Sequence, residues 1–365
     1  MKPVPATRAD RLAAAATAAE LDAVLIGDMV RPGDSTPDAM ADVSWLTGYR
    51  GTSGLVVVAP EGRWFVTDFR YLEVAEATVP GSFEVVDGTA DLTKTVAGLL
   101  SEFATVGVDE SRISVENHRK LADALAEGVA LTAAQGLVEG LRRVKDEVEI
   151  EAIAAASALT DGVYAWLEER GFEGRTEREV ALAAEARMRH LGAEDPSFPS
   201  IVAAGPNGSL IHAVPGERKI RRDEYIVIDM GAIVDGYCSD CTRTLVEGEP
   251  PIAHREAYEV VLAAQEAALG EIKAGASGRE LDAVARDLIA EAGYGELFGH
   301  GLGHGVGIEV HEPPRLSRRS DDVLQAGEVV TVEPGVYLPG EFGVRIEDLV
   351  VVTDDGHRNL SSRPK

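Results

Sequence analysis

The stretch 225–240, YIVIDMGAIVDGYCSD, constrains the fold more than any other because it sets two acids, Asp229 and Asp240, into apolar surroundings. Residues 225–230 alternate and are β-branched, which predicts a buried strand. Gly231 and Asp235-Gly236 are turn signals, and 237–246 is expected to return as the partner strand. A carboxylate near the end of an apolar strand is costly to desolvate unless it is paired or holds a cation. Two of them across one hairpin suggest a divalent metal ion. Taken alone, these residues are equally well explained by Asp229 capping a turn and Asp240 lying on a solvated face.

Two acids downstream favour the metal. Glu333 ends an apolar strand in TVEPG, and Glu347 lies in the alternating run VRIED. Between the two pairs of acids runs GHGLGHGVG, 299–307, which carries His300 and His304 and is followed by His311. Its glycines never form G-x-G-x-x-G, and no Gly-Lys-Ser/Thr is present, so a phosphate cradle is set aside. Asp229, Asp240, His304, Glu333 and Glu347 together make four carboxylates and one imidazole, an oxygen-rich set suited to manganese, cobalt or zinc. Four buried carboxylates repel one another and lose hydration, each effect worth several kcal/mol, so two divalent ions match the charge. His118, His190, His254 and His357 read as ordinary surface or core residues.

The chain is long enough for two domains. Residues 1–135 read as a small α/β domain: a helix over 6–20, a strand over 21–26, a loop over 31–42, a hairpin of 54–59 and 64–68, a helix over 69–78, strands at 83–86 and 106–108, and a helix over 121–128. Residues 136–365 have longer elements. Capping boxes at Asp146, Thr176 and Ser277 open helices, separated by strands at 201–204, 225–230, 329–333 and 348–352, and the whole reads as α+β. Asn207-Gly208-Ser209 reads as a turn. The formal charge of -27 argues against nucleic acid or an anionic membrane as partner. No apolar run approaches a membrane span and no secretory leader is evident, so the expected compartment is the cytoplasm. Cys238 and Cys241 lie in a predicted strand without a second pair, which fits neither structural zinc nor a thioredoxin-type motif.

The order Asp, Asp, His, Glu, Glu, with His212 upstream and the phrase HGLGHGVGIEVHE, resembles the metallopeptidase family of prolidase, aminopeptidase P, creatinase and methionine aminopeptidase. That resemblance implies a C-terminal pita-bread domain with two divalent ions, manganese by preference and cobalt or zinc as alternatives. It makes Asp229, Asp240, His304, Glu333 and Glu347 the ligands, with Glu333 also passing a proton from the nucleophile to the leaving nitrogen. His212 and His311 would hold the carbonyl oxygen or tetrahedral intermediate, while His300 and Arg345 would shape the site. The phrase TDFRY, 67–71, and the run SFPSIV, 197–202, resemble those of proline-specific members, which places Phe198 and Ile201 with His212, His300 and His311 at the substrate. Arg70 and Tyr71 either reach a neighbouring subunit's site or begin a helix packed on the hairpin.

The implied reaction is hydrolysis of Xaa-Pro bonds by a homodimer. The modest chain length favours an Xaa-Pro dipeptidase, with aminopeptidase P action on longer peptides as the alternative. A metal-free binding protein and a creatinase-like hydrolase fit less well, because every ligand position is filled.

Overall fold

A computed structural model describes residues 7–29 and 40–365. The chain divides into two compact units between Arg142 and Arg143. In the first, a six-stranded sheet runs in the order Glu84–Asp87, Gly62–Thr67, Leu55–Ala59, Ala23–Ile26, Thr105–Val108, Ala130–Ala133. Ala23–Ile26 is buried throughout and pairs antiparallel with Leu55–Ala59 but parallel with Thr105–Val108. The expected 31–42 loop lies outside the described residues up to residue 39, and its end is helical: Ala41–Thr47 buries Asp42, which accepts a hydrogen bond from Arg142 at 2.7 Å.

Three helices here depart from the sequence reading. The one expected over 121–128 is Val115–Ala124, begun by Ser114, whose hydroxyl accepts from the Asn117 amide. Its apolar face has one buried residue, Leu121, too little to give a helical period. The helix expected over 69–78 starts only at Leu72, because Phe69 and Arg70 are held back by hydrogen bonds to Thr89 and Asp68. Leu92–Leu99 was not expected at all; Asp91 caps it by accepting from the Lys94 amide.

In the second unit, Glu147–Glu168 and Glu177–Leu191 start at complete capping boxes on Asp146 and Thr176. They bury Val163, Leu167, Val180 and Met188 against a three-stranded antiparallel sheet of Cys241–Val246, Tyr225–Met230 and Ile201–Ala204. The pattern then recurs. Ile252–Glu271 and Gly278–Glu291 pack on a five-stranded sheet ordered Glu312–Leu316, Gly303–Gly305, Val329–Val332, Asp348–Val352, His357–Asn359. Ile252–Glu271 escaped the sequence reading because it opens behind Pro250-Pro251 with no side-chain cap. Residues 207–209 belong to a short 3-10 turn, Gly205–Ser209.

Residues 237–246 do not form one strand. Tyr237–Cys238 pairs with Ile233–Val234, whereas Cys241–Val246 pairs with Tyr225–Met230. The chain breaks at Ser239-Asp240 because Ser239 is drawn across Gly231, where a Cβ would lie 1.9 Å from the Ser239 carbonyl oxygen. Only glycine permits that approach. Asp240 therefore occupies the break and not a ladder position.

Candidate metal centre

Asp229 lies on the middle strand of the three-stranded sheet, with Thr242 and Ile201 as its cross-strand partners. Its Oδ2 accepts from Arg345 Nη2 at 2.7 Å. Glu347 sits in the gap between Phe342–Arg345 and Asp348–Val352; its amide donates to the Thr242 carbonyl, and its Oε2 accepts from the Thr242 hydroxyl at 2.8 Å. Arg345 Nε donates to the same hydroxyl at 3.0 Å. One threonine thus ties both acids to one arginine.

His304 is the middle residue of Gly303–Gly305, a strand squeezed between neighbours. A Cβ at Gly303 would lie 2.0 Å from the Thr331 carbonyl oxygen, and one at Gly305 would lie 2.2 Å from that of Pro313. This explains the alternating glycines flanking His304. Gly303→Ala is expected to destabilise the fold by about 1–3 kcal/mol, since neither backbone can yield, and chemical denaturation should show a lowered midpoint.

The Nδ1 of His304 faces the Gly305 carbonyl at 3.0 Å. A carbonyl only accepts, so Nδ1 carries the proton and Nε2 presents its lone pair. That lone pair faces Glu333 Oε1 at 3.2 Å and Asp240 Oδ2 at 3.7 Å. Acceptors turned on one another call for a shared proton or a cation. The carboxylates say the same: Asp229 Oδ1 and Glu347 Oε1 are buried without a hydrogen-bond partner. Ligand atoms of Asp240, His304 and Glu347 all lie within 4.8 Å of one another. Burial, then the neighbouring carboxylates, push Asp240 and Glu347 far above the usual carboxylate range. Burial also raises Asp229, against the opposing pull of Arg345. For Glu333, burial is outweighed by a proton shared with the His304 ring, with His300 and Arg345 adding to it, and the group is lowered to about 2. Divalent cations held among these residues would give the orphaned oxygens partners and discharge the repulsion, so the residues fit a metal centre.

These groups line one side of a cavity of about 550 Å³. His212 and His311 reach it from loops; the His311 ring lies 4.3 Å from that of His304 and is neutral, its pKa pushed down to about 4 by burial and by His304. Phe198 and Ile201 supply an apolar wall. His300 also lines the cavity, but both its nitrogens are engaged: Nδ1 with the Gly301 carbonyl and Nε2 with the Tyr337 hydroxyl, each at 2.8 Å. Tyr337 accepts in turn from Arg345 Nη1 at 2.9 Å. Tyr337→Phe is expected to lower kcat about five- to tenfold by loosening Arg345 and His300, with metal content unchanged, as steady-state kinetics and elemental analysis will show.

Thr242, Thr331, Tyr337 and Arg315 were missed by sequence reasoning. Thr331 accepts from the His304 amide at 3.0 Å and donates to Glu333 at 3.1 Å. Arg315 sits directly across the strand pair from His304 and lines the cavity. Its spacing of four residues from His311 was the available signal. Arg70 and Tyr71 belong to the first unit, where Arg70 pairs with Asp68 at 2.7 Å and the Tyr71 hydroxyl meets Thr52 at 2.6 Å.

Residues 151–354 match the description Metallopeptidase family M24, and residues 8–144 match Creatinase/Prolidase N-terminal domain. The chain is similar to an uncharacterized peptidase of Bacillus subtilis, YqhT, with 39% identity over 326 residues, 89% of this chain and 92% of that one. Its fold is similar to that of an Xaa-Pro dipeptidase from Bacillus anthracis, with TM-score 0.91 and 36% identity across 98% of each chain. It is similar, too, to an X-Pro aminopeptidase from Thermotoga maritima, with TM-score 0.88 and 36% identity across 98% of each chain. The α+β architecture with a pita-bread C-terminal domain is common to them.

Proposed function

Because the chain belongs to metallopeptidase family M24, we propose that it hydrolyses the peptide bond preceding proline, with Xaa-Pro dipeptides as its substrates. The Bacillus anthracis dipeptidase and the Thermotoga maritima aminopeptidase are each 36% identical to it, so the choice rests on the cavity. The observation that carries it is Arg315. The other arginine lining the cavity, Arg345, is buried against Asp229, whereas the Arg315 side chain is exposed and has no carboxylate partner among the described residues. An unneutralised guanidinium facing a substrate cavity suits a free α-carboxylate, which a dipeptide carries next to its scissile bond.

In this reading residues 136–365 form the catalytic domain, and Asp229, Asp240, His304, Glu333 and Glu347 hold two divalent ions, manganese by preference. Such ions acidify water and polarise a carbonyl at neutral pH. Glu333, ionised at neutral pH, accepts a proton and returns it to the leaving nitrogen. The tertiary amide nitrogen of Xaa-Pro has no hydrogen of its own, so it must gain that proton to leave as an amine. His212 and the neutral His311 donate hydrogen bonds to the substrate carbonyl oxygen as charge develops on it. Phe198 and Ile201 pack on the proline ring. Arg345 keeps Asp229 in place, and His300 braces Arg345 through Tyr337.

No helix among the described residues is long and apolar enough to cross a membrane. The reading places the enzyme in the cytoplasm as a homodimer. Its test is mass spectrometry of products after incubating manganese-loaded protein with Ala-Pro and with Ala-Pro-Ala. Cleavage of the dipeptide alone is expected; release of alanine from the tripeptide would make the protein an aminopeptidase P.

A further inference from the structure

Glu177 is the first residue of the helix Glu177–Leu191, a position where acids ordinarily lie in solvent beside the helix N-terminus. Here the side chain is 1% exposed. Its carboxylate accepts from the Ala204 amide at 2.9 Å, from the Asn207 side-chain amide at 3.0 and 3.1 Å, and from the Gly216 amide at 3.2 Å. The same helix end binds the chain a second time, because the amides of Glu177 and Arg178 donate to the carbonyls of Arg218 and Gly216, each at 3.1 Å. One buried carboxylate therefore joins the two feet of the loop 205–215. None of the chemistry described above uses it.

That loop carries His212 at its tip. No hydrogen bond holds the His212 side chain among the described residues, so the ring takes its position from the backbone beneath it. Beyond the feet, the loop is braced where the Gly208 carbonyl oxygen presses on Gly343, 1.9 Å from a Cβ built there, and where Ser209 accepts from the Gly340 amide at 3.2 Å. At the tip, Arg345 Nη1 meets the Ile211 carbonyl at 3.4 Å, a weak contact. We infer that Glu177 is a positioning residue for catalysis: by clamping both feet of the 205–215 loop it sets His212 against the substrate carbonyl. The inference rests on the reading that His212 touches substrate.

Glu177→Gln keeps the shape but turns an amide donor toward the Gly216 or Asn207 donors, so at least one hydrogen bond is lost and donors are left opposed. The test is a double-mutant cycle with His212→Ala on Ala-Pro hydrolysis, with metal content measured alongside. Glu177→Gln alone should lower kcat by about tenfold or more, the effect of a misplaced catalytic contact, with two metals retained. In the His212→Ala background the same substitution should change kcat by less than about twofold. Equal losses in both backgrounds would overturn the inference, since a general loosening of the fold does not depend on His212. If His212→Ala alone is silent, the role given to His212 fails first and the positioning role falls with it, a distinct result. Asn207→Ala removes two of the four hydrogen bonds from the outside of the clamp and supplies the same cycle, with a smaller loss, should Glu177→Gln not fold.

Discussion

Glu347→Gln is expected to abolish activity while making the metal-free protein more stable, two effects of opposite sign from one buried oxygen. In the proposed metal centre the amide lacks the charge with which Glu347 would hold a divalent cation, so kcat/KM for Ala-Pro should fall roughly a thousandfold or more and bound metal should drop below two per chain. The metal-free protein is the reverse case. Burial, with Glu333 and Asp229 nearby, raises the Glu347 pKa well above its ordinary value, and one of its oxygens has no partner. A group whose folded pKa is raised favours the fold only while protonated. Its contribution is complete below the unfolded carboxylate range and is lost as pH climbs through the folded value. At neutral pH the group must either take up a proton or hold its charge without hydration on folding, so it opposes folding, and a neutral isostere removes that opposition. Denaturant melts in chelator should show Glu347→Gln gaining about 1–3 kcal/mol at pH 7 and little or nothing at pH 4. Equal stability of the two proteins at pH 7 would mean that the carboxylates are not crowded, and the metal reading would lose its physical basis.

Arg315→Ala is expected to raise KM for Ala-Pro by on the order of a hundredfold, the cost of leaving a substrate carboxylate without its charge partner. Hydrolysis of Ala-prolinamide, which has no carboxylate, should be slow in the parent enzyme and barely altered by the substitution. The ratio of the two substrates is the diagnostic quantity. A variant that loses both activities in proportion would show that Arg315 supports the strand opposite His304 and does not read the substrate's end.

The legible parts of the site share one property: each is an anomaly in its local pattern. Asp229 interrupts a β-branched run, Glu333 ends one before Pro-Gly, and His304 stands between glycines that would otherwise weaken a strand. The structure brings these three together with Asp240 and Glu347 in one cavity. The groups that hold them were hidden because they break no pattern. Thr242 and Thr331 are ordinary strand residues, and Tyr337 is an ordinary aromatic on a buried hairpin. Glu177 looked complete as part of a capped helix start, since Thr176 and Glu179 close the capping box without it.

The sequence by itself determined the class of the protein, because binary pattern, caps and turn residues act over a few positions and are written in order along the chain. It pointed to the kinds of ligand as well, since unpaired carboxylates on apolar strands have few physical resolutions. Only the tertiary structure decided which oxygens are left without partners, which histidine nitrogen is free, and which arginine still lacks a counter-charge. Those depend on contacts between residues far apart in sequence: Thr242 with Glu347, His300 with Tyr337, Glu177 with Gly216. A hydrogen bond is settled by distances of tenths of an ångström between such residues, and no local pattern carries that information.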